Sequence, residues 1–193
     1  MDSMNNAKSK LGEVVYPSVG IIAAIWAVWL LDFIIPGQLN SVGIRPRQVD
    51  GLLGIATAPF LHGSWGHIIS NTTPLFLLSL FAFAWSRGLA MTAIFLIAIG
   101  GGLGTWLFAQ GGSNHIGASG IVYGLVGFLM VGGFVRKDIV AFVISLVVML
   151  LYFGVAIDAF LGIGARPGVS WQGHLFGFLS GAASAFLLKD EKA

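Results

Sequence analysis

The chain has 193 residues, of which 56% are hydrophobic and only 9% charged, with a mean hydropathy of +0.90. A soluble domain carries about a quarter charged residues, so ten Lys and Arg with eight Asp and Glu cannot coat a water-facing surface. This balance excludes a soluble enzyme, a secreted disulfide scaffold and a nucleic-acid binder, and a net charge of +2 suggests no polyanionic partner.

Long uncharged runs separated by short charged breaks predict six helices crossing a bilayer. A short tail, residues 1–16, precedes a first span from about Pro17 to Ile35. The connection 36–64 is the longest. Pro36, Pro46 and Pro59 break any long helix in it, and Leu52, Leu53, Ile55 and Phe60 place it partly in the membrane interface. The second span covers about Trp65 to Trp85 and the third about Leu89 to Phe108. Gly111, Gly112, Ser113 and Asn114 form the turn into a fourth, about Ala118 to Val135. The fifth runs from about Ile139 to Ile157 and the sixth from about Trp171 to Leu188, leaving a tail of 189–193. Residues 17–188 therefore read as one membrane domain, all-α.

Basic residues orient it. With both termini inside, Lys8, Lys10, Arg87, Arg136, Lys137, Lys189 and Lys192 are cytoplasmic, while Arg45, Arg47 and Arg166 lie outside. Trp65, Trp106 and Trp171 then mark the outer boundary and Trp85 the inner one.

The available chemistry is narrow. Cysteine is absent, which removes disulfides, thiolate metal sites and cysteine nucleophiles. The two glutamates, Glu13 and Glu191, stand in the tails, and no H-E-x-x-H helix exists. No metal or cofactor is expected. The 28 glycines serve close helix packing, notably Gly100, Gly101, Gly102 and Gly104 in span three and Gly173, Gly177 and Gly181 in span six. A phosphate loop would need a Lys-Ser/Thr after the glycines, and there is none.

Polar residues inside spans cost free energy, so each is a candidate site. Spans two, four and six run in the same direction, which brings their opening residues to one depth near the outer face. Span two opens through His62, His67 and Asn71, span four through Gly117, Ala118, Ser119, Gly120 and Tyr123, and span six through Gln172 and His174. His67 and Asn71, four residues apart, share a helix face. A serine hydroxyl needs a base in reach, and His174 meets Ser119 if spans four and six are neighbours. A serine in a helix's first turn sits beside unpaired backbone N–H groups, ready donors for an oxyanion. Glycines on both sides of it admit a substrate backbone, and His67 and Asn71 supply further donors. No carboxylate is expected beside His174, so the reading is a dyad. Taken singly, Tyr123 reads as packing or a helix-bridging hydroxyl and Asn71 as a helix bridge; His115, in a loop, is given no role.

These motifs, in this order, resemble the rhomboid intramembrane serine proteases over roughly His62 to Gly181. The resemblance implies a six-helix bundle, N-in and C-in, whose short fourth helix is central beneath a water-filled cavity. It implies Ser119 as nucleophile and His174 as base, with Tyr123 stacked on the histidine. It further implies an oxyanion hole of His67, Asn71 and the Ser119 amide, with His62 supporting the nearby loop. Two family features differ. Leu53-Gly54 stands where many members carry Trp-Arg, and Phe83-Ala84-Trp85-Ser86-Arg87 where many carry a glutamate.

The expected activity is cleavage of transmembrane proteins near the outer face, in a prokaryotic plasma membrane, without cofactor or nucleic acid. The alternatives are a catalytically inactive rhomboid-like protein that binds membrane clients, and a six-helix transporter or channel. The loop 158–170, with Gly162, Gly164, Pro167 and Gly168, reads equally as a lid or an ordinary connector.

Overall fold

The computed structural model describes residues 2–35, 39–162 and 169–191, with side chains from Leu11 onward. Pro36, Arg166, Lys192 and, in the expected lid, Gly164, Pro167 and Gly168 lie outside the described residues, as do the side chains of Lys8 and Lys10. Among the described residues the architecture is all-helical, with one isolated bridge between Ile44 and His115 and no strand.

Helix α1 spans Asp2–Ile34, so the expected tail 1–16 is continuous with the first apolar run. Pro17, expected near the start of the span, is inside the helix. It removes one backbone bond, to the Glu13 carbonyl, and apolar residues from Leu11 onward carry the helix through it. The first connection is built of short turns: 3-10 helices at Leu39–Val42, Asp50–Leu52 and Ala58–Phe60, with α2 at Gly54–Thr57. Then follow α3 (Trp65–Trp85), α4 (Arg87–Phe108), α5 (Ser119–Val135), α6 (Ile139–Leu161) and α7 (Trp171–Leu187).

The six long helices occupy the six apolar runs, and α6 extends a turn beyond the expected Ile157. Four of them, the Leu11–Ile34 part of α1 together with α3, α4 and α6, are long and apolar enough to cross a membrane. The chain is thus a membrane protein. Helices α5 and α7 have 17 residues each, and at about 1.5 Å per residue fall slightly short of a hydrocarbon core about 30 Å thick.

Helix α5 is the hub, packed against α3, α4, α6 and α7 and most extensively against α7. Its Leu125, Val126, Phe128 and Leu129 are all buried. Glycine makes the α5–α7 seam possible: a Cβ at Gly177 would overlap the Gly120 carbonyl, and one at Gly181 the Gly124 carbonyl. Lipid is as apolar as leucine, so helix association depends on such close van der Waals approach. At the opposite end from Ser119, the Arg136 guanidinium donates to the Leu188 and Glu191 carbonyls and lies 5.3 Å from the Trp85 ring centroid, tying α5 to the end of α7.

The first connection is fastened without a Trp-Arg pair at Leu53-Gly54. Arg47, at φ 59°, donates from its side chain to the carbonyls of Leu107 (2.9 Å) and Ala109 (2.8 Å), while its backbone N–H reaches the Trp106 carbonyl. Trp106 Nε1 returns a bond to the Gln48 carbonyl (2.8 Å). A cation thus meets the carbonyl-rich end of α4, where the helix dipole favours positive charge. Gly54 fits because a Cβ there would overlap the Gly43–Ile44 backbone.

Candidate active site

Four long helices begin with a side-chain cap. Ser64 accepts from His67 N, Ser86 from Leu89 N, Asp138 from Val140 N and Ser170 from Gly173 N. Helix α5 does not. Its N-cap is Ala118, no side chain caps it, and Ser119 is its first residue. A helix leaves its first backbone N–H groups without intrahelical partners, and their partial positive charge attracts anions. Ser119 therefore sits in the first turn of an electropositive helix end that its N-cap side chain leaves uncapped.

The turn into that helix is held from outside. Gly117 has φ +112°, a conformation open to glycine, and a Cβ there would strike the His67 ring. Its N–H donates to the Ala58 carbonyl (2.8 Å). The next N–H, of Ala118, reaches His62 Nε2 at 3.5 Å, while His62 Nδ1 lies 3.3 Å from the Phe60 carbonyl. A carbonyl only accepts, so the proton of neutral His62 is on Nδ1 and Nε2 is free to accept. Burial, then the neighbouring His67 5.0 Å away, lowers the His62 pKa from 6.5 to about 4, which keeps this tautomer at neutral pH. Asn40 carries the support further, accepting at its carbonyl from Asn114 and donating from its side chain to Asp32 and to the His62 carbonyl.

A cavity of about 890 Å³ opens over this turn, and Ser119, His174, His67, Asn71 and Tyr123 all line it. The structure thus brings together the opening residues of α3, α5 and α7. The Tyr123 and His174 rings stack at 3.9 Å between centroids and 9° between planes. His174 is 7% exposed and Asn71 4% exposed. One Asn71 amide hydrogen is spent on the His67 carbonyl (2.8 Å), which leaves the second available. Among the described residues no hydrogen bond joins Ser119 to His174. Gly120 follows Ser119 against α7, its carbonyl touching Gly177.

Two residues in the cavity region go beyond the sequence reading. The first is Asp158, in the last turn of α6. Its Oδ2 accepts from the Tyr123 hydroxyl at 2.6 Å and lies 3.9 Å from His174 Nδ1. The expectation of no carboxylate beside His174 is therefore corrected. Asp158 is 16 residues before His174 in sequence, and only the rotational phase of α6 turns it inward.

The second is His115, to which sequence assigns nothing. Its Nε2 is 2.7 Å from Ser113 Oγ and its Nδ1 2.7 Å from Ser170 Oγ. Ser113 spends its hydrogen on the Gln110 carbonyl, so Nε2–H donates to Ser113 and Nδ1 accepts from the Ser170 hydroxyl. Ser170 in turn accepts from Gly173 N (3.0 Å), and its carbonyl accepts from His174 N (3.2 Å). Burial lowers the His115 pKa. This relay ties the loop before Ser119 to the first turn of α7. The pattern S-x-H in an uncharged turn was its one sequence trace.

Comparison with known proteins identifies the family. The profile of the Rhomboid domain matches residues 50–191. An uncharacterized protein of Mycobacterium tuberculosis is 43% identical over 175 residues, covering 86% of this chain and 72% of that protein. One of Mycobacterium leprae is 41% identical over 177 residues, covering 86% of this chain and 68% of that protein. YdcA of Bacillus subtilis, provisionally named a rhomboid protease, is 30% identical over 190 residues, covering 92% of this chain and 91% of that protein. With the profile covering most of the chain, and a relative 30% identical over nearly its whole length, the chain belongs to the rhomboid family.

Proposed function

We propose that this protein is an intramembrane serine endopeptidase. Its residues 17–188 form a six-span domain with both termini in the cytoplasm, and it cleaves transmembrane proteins near the outer face of a prokaryotic plasma membrane. The observation that carries this reading is the single cavity into which uncapped Ser119 and Tyr123-stacked His174 both face.

Ser119 Oγ attacks the scissile carbonyl carbon while its proton passes to His174. The oxyanion is held by the Ser119 N–H, the free Asn71 amide hydrogen and the His67 side chain. The C–N bond then breaks, His174 returns the proton to the leaving amine, and water repeats the sequence on the acyl-enzyme. A serine–histidine hydrogen bond forms as substrate fills the cavity, since catalytic hydrogen bonds are commonly completed only in the complex. A transmembrane helix hides its carbonyls in its own hydrogen bonds, so substrates need a segment that unwinds.

The test is cleavage of a single-span reporter in liposomes. Ser119→Ala and His174→Ala abolish the product, whereas His67→Ala and Asn71→Ala lower it by roughly 100-fold or less. Full activity in Ser119→Ala would overturn the reading, and a folded wild type that binds the reporter without cutting it would favour a client-binding protein.

A further inference from the structure

The geometry points to Asp158 as a positioning residue that acts on His174, completing a carboxylate–imidazole–serine series rather than a dyad; this rests on the protease reading above. Three observations meet here. Asp158 Oδ2 accepts the Tyr123 hydroxyl at 2.6 Å, Tyr123 lies flat on His174, and the same oxygen is 3.9 Å from His174 Nδ1. The Asp158 side chain is 23% exposed and that of His174 10%. An acidic residue in the last turn of an apolar helix is costly unless its carboxylate is held, and here the Tyr123 hydroxyl holds it.

The arrangement has two consequences for His174. At 3.9 Å Asp158 is beyond hydrogen-bond distance of Nδ1, and its charge favours the tautomer that carries hydrogen on Nδ1, which leaves the Nε2 lone pair for Ser119. When Nε2 takes the serine proton the ring becomes a cation, and a carboxylate at 3.9 Å stabilises it. Asp158 does not itself receive the proton. Tyr123 has a definite part: its hydroxyl fixes the carboxylate while its ring face fixes the imidazole plane, so one side chain sets both partners. Among the described residues, the other titratable groups lining the same cavity are His67, His115 and Tyr152, the last of them six residues before Asp158 on α6.

The experiment is covalent labelling of the purified full-length chain in detergent with a fluorophosphonate. Ser119 Oγ forms the P–O bond, the P–F bond breaks with fluoride leaving, and the proton goes to His174 Nε2. Rates over a range of probe concentration separate the maximal labelling rate, kinact, from the probe affinity, KI. In Asp158→Asn, which is of the same shape and still accepts the Tyr123 hydroxyl, kinact falls about tenfold or more while KI and the thermal midpoint stay at wild-type values. Asp158→Glu keeps the charge and retains most of kinact. Wild-type kinact in Asp158→Asn, equal losses in Asp158→Asn and Asp158→Glu, or a loss accompanied by a lowered thermal midpoint each overturn the assignment while leaving the protease reading intact. Absence of Ser119-dependent labelling in folded wild type removes the protease reading itself, and this inference with it.

Discussion

Gly117 shows how little freedom single residues have around Ser119. Its φ of +112° suits glycine, and the space where a Cβ would go is filled by the His67 ring. Gly117→Ala therefore costs about 1–3 kcal/mol in backbone strain and also displaces a proposed oxyanion donor. Its thermal midpoint should fall and its labelling by a fluorophosphonate should drop further than stability alone explains. Tyr123 separates into two functions. Tyr123→Phe keeps the ring on His174 and loses only the bond to Asp158, so labelling falls a few-fold; Tyr123→Ala loses the stack as well and falls further. Sequence named Ser119, His174, His67, Asn71 and Tyr123 because polar groups inside apolar runs are conspicuous. It expected no carboxylate beside His174 because Asp158 stands 16 residues earlier in sequence, and spacing alone does not give the rotation of α6.

At the scale of elements, the seam between α5 and α7 sets the position of the cavity. Gly120 and Gly124 on one helix face Gly177 and Gly181 on the other, both pairs at four-residue spacing, so backbone meets backbone. Gly181→Leu forces the helices apart at a cost of about 1–3 kcal/mol. In a denaturation titration the variant should unfold earlier, and its fluorophosphonate labelling should weaken because Ser119 and His174 ride on the two separated helices. The capping pattern tests the other end. Ser170→Ala removes the α7 cap and the His115 partner together, about 1 kcal/mol by the cap alone, and loosens the turn preceding His174. The glycine spacing was legible in sequence as packing, whereas the partner of each glycine was not, because spacing gives a face and never its neighbour.

For the whole molecule, acid is the revealing variable. An unfolded chain protonates its histidines near pH 6.5, but burial holds the folded His62 pKa near 4 and lowers that of His115. Between those values the unfolded state binds more protons, so stability falls as pH drops from about 6.5 to about 4 and the His62 contribution levels off below that. Thermal midpoints in detergent across this range should trace the fall, and His62→Gln should make it shallower. A steeper fall in that variant would show that His62 is not among the groups responsible. The sequence-distant bonds these histidines make, from the first connection to the Ser119 turn and from there to α7, give the Ser119 end of the bundle its cohesion.

Sequence by itself determined that the chain lives in a membrane, where its long helices run, and which polar residues stand at their opening turns. Those properties are local, since apolarity over about 20 residues and a polar residue within it are read without knowing any neighbour. The tertiary structure decided what those residues touch. It continued α1 through Pro17, placed Arg47 on the end of α4, gave His115 a bridge to Ser170 across 55 positions, and joined Asp158 to Tyr123 across 35. Each depends on how helices are rotated about their axes and how closely they approach, which glycine seams and long-range bonds set only once the whole bundle has assembled.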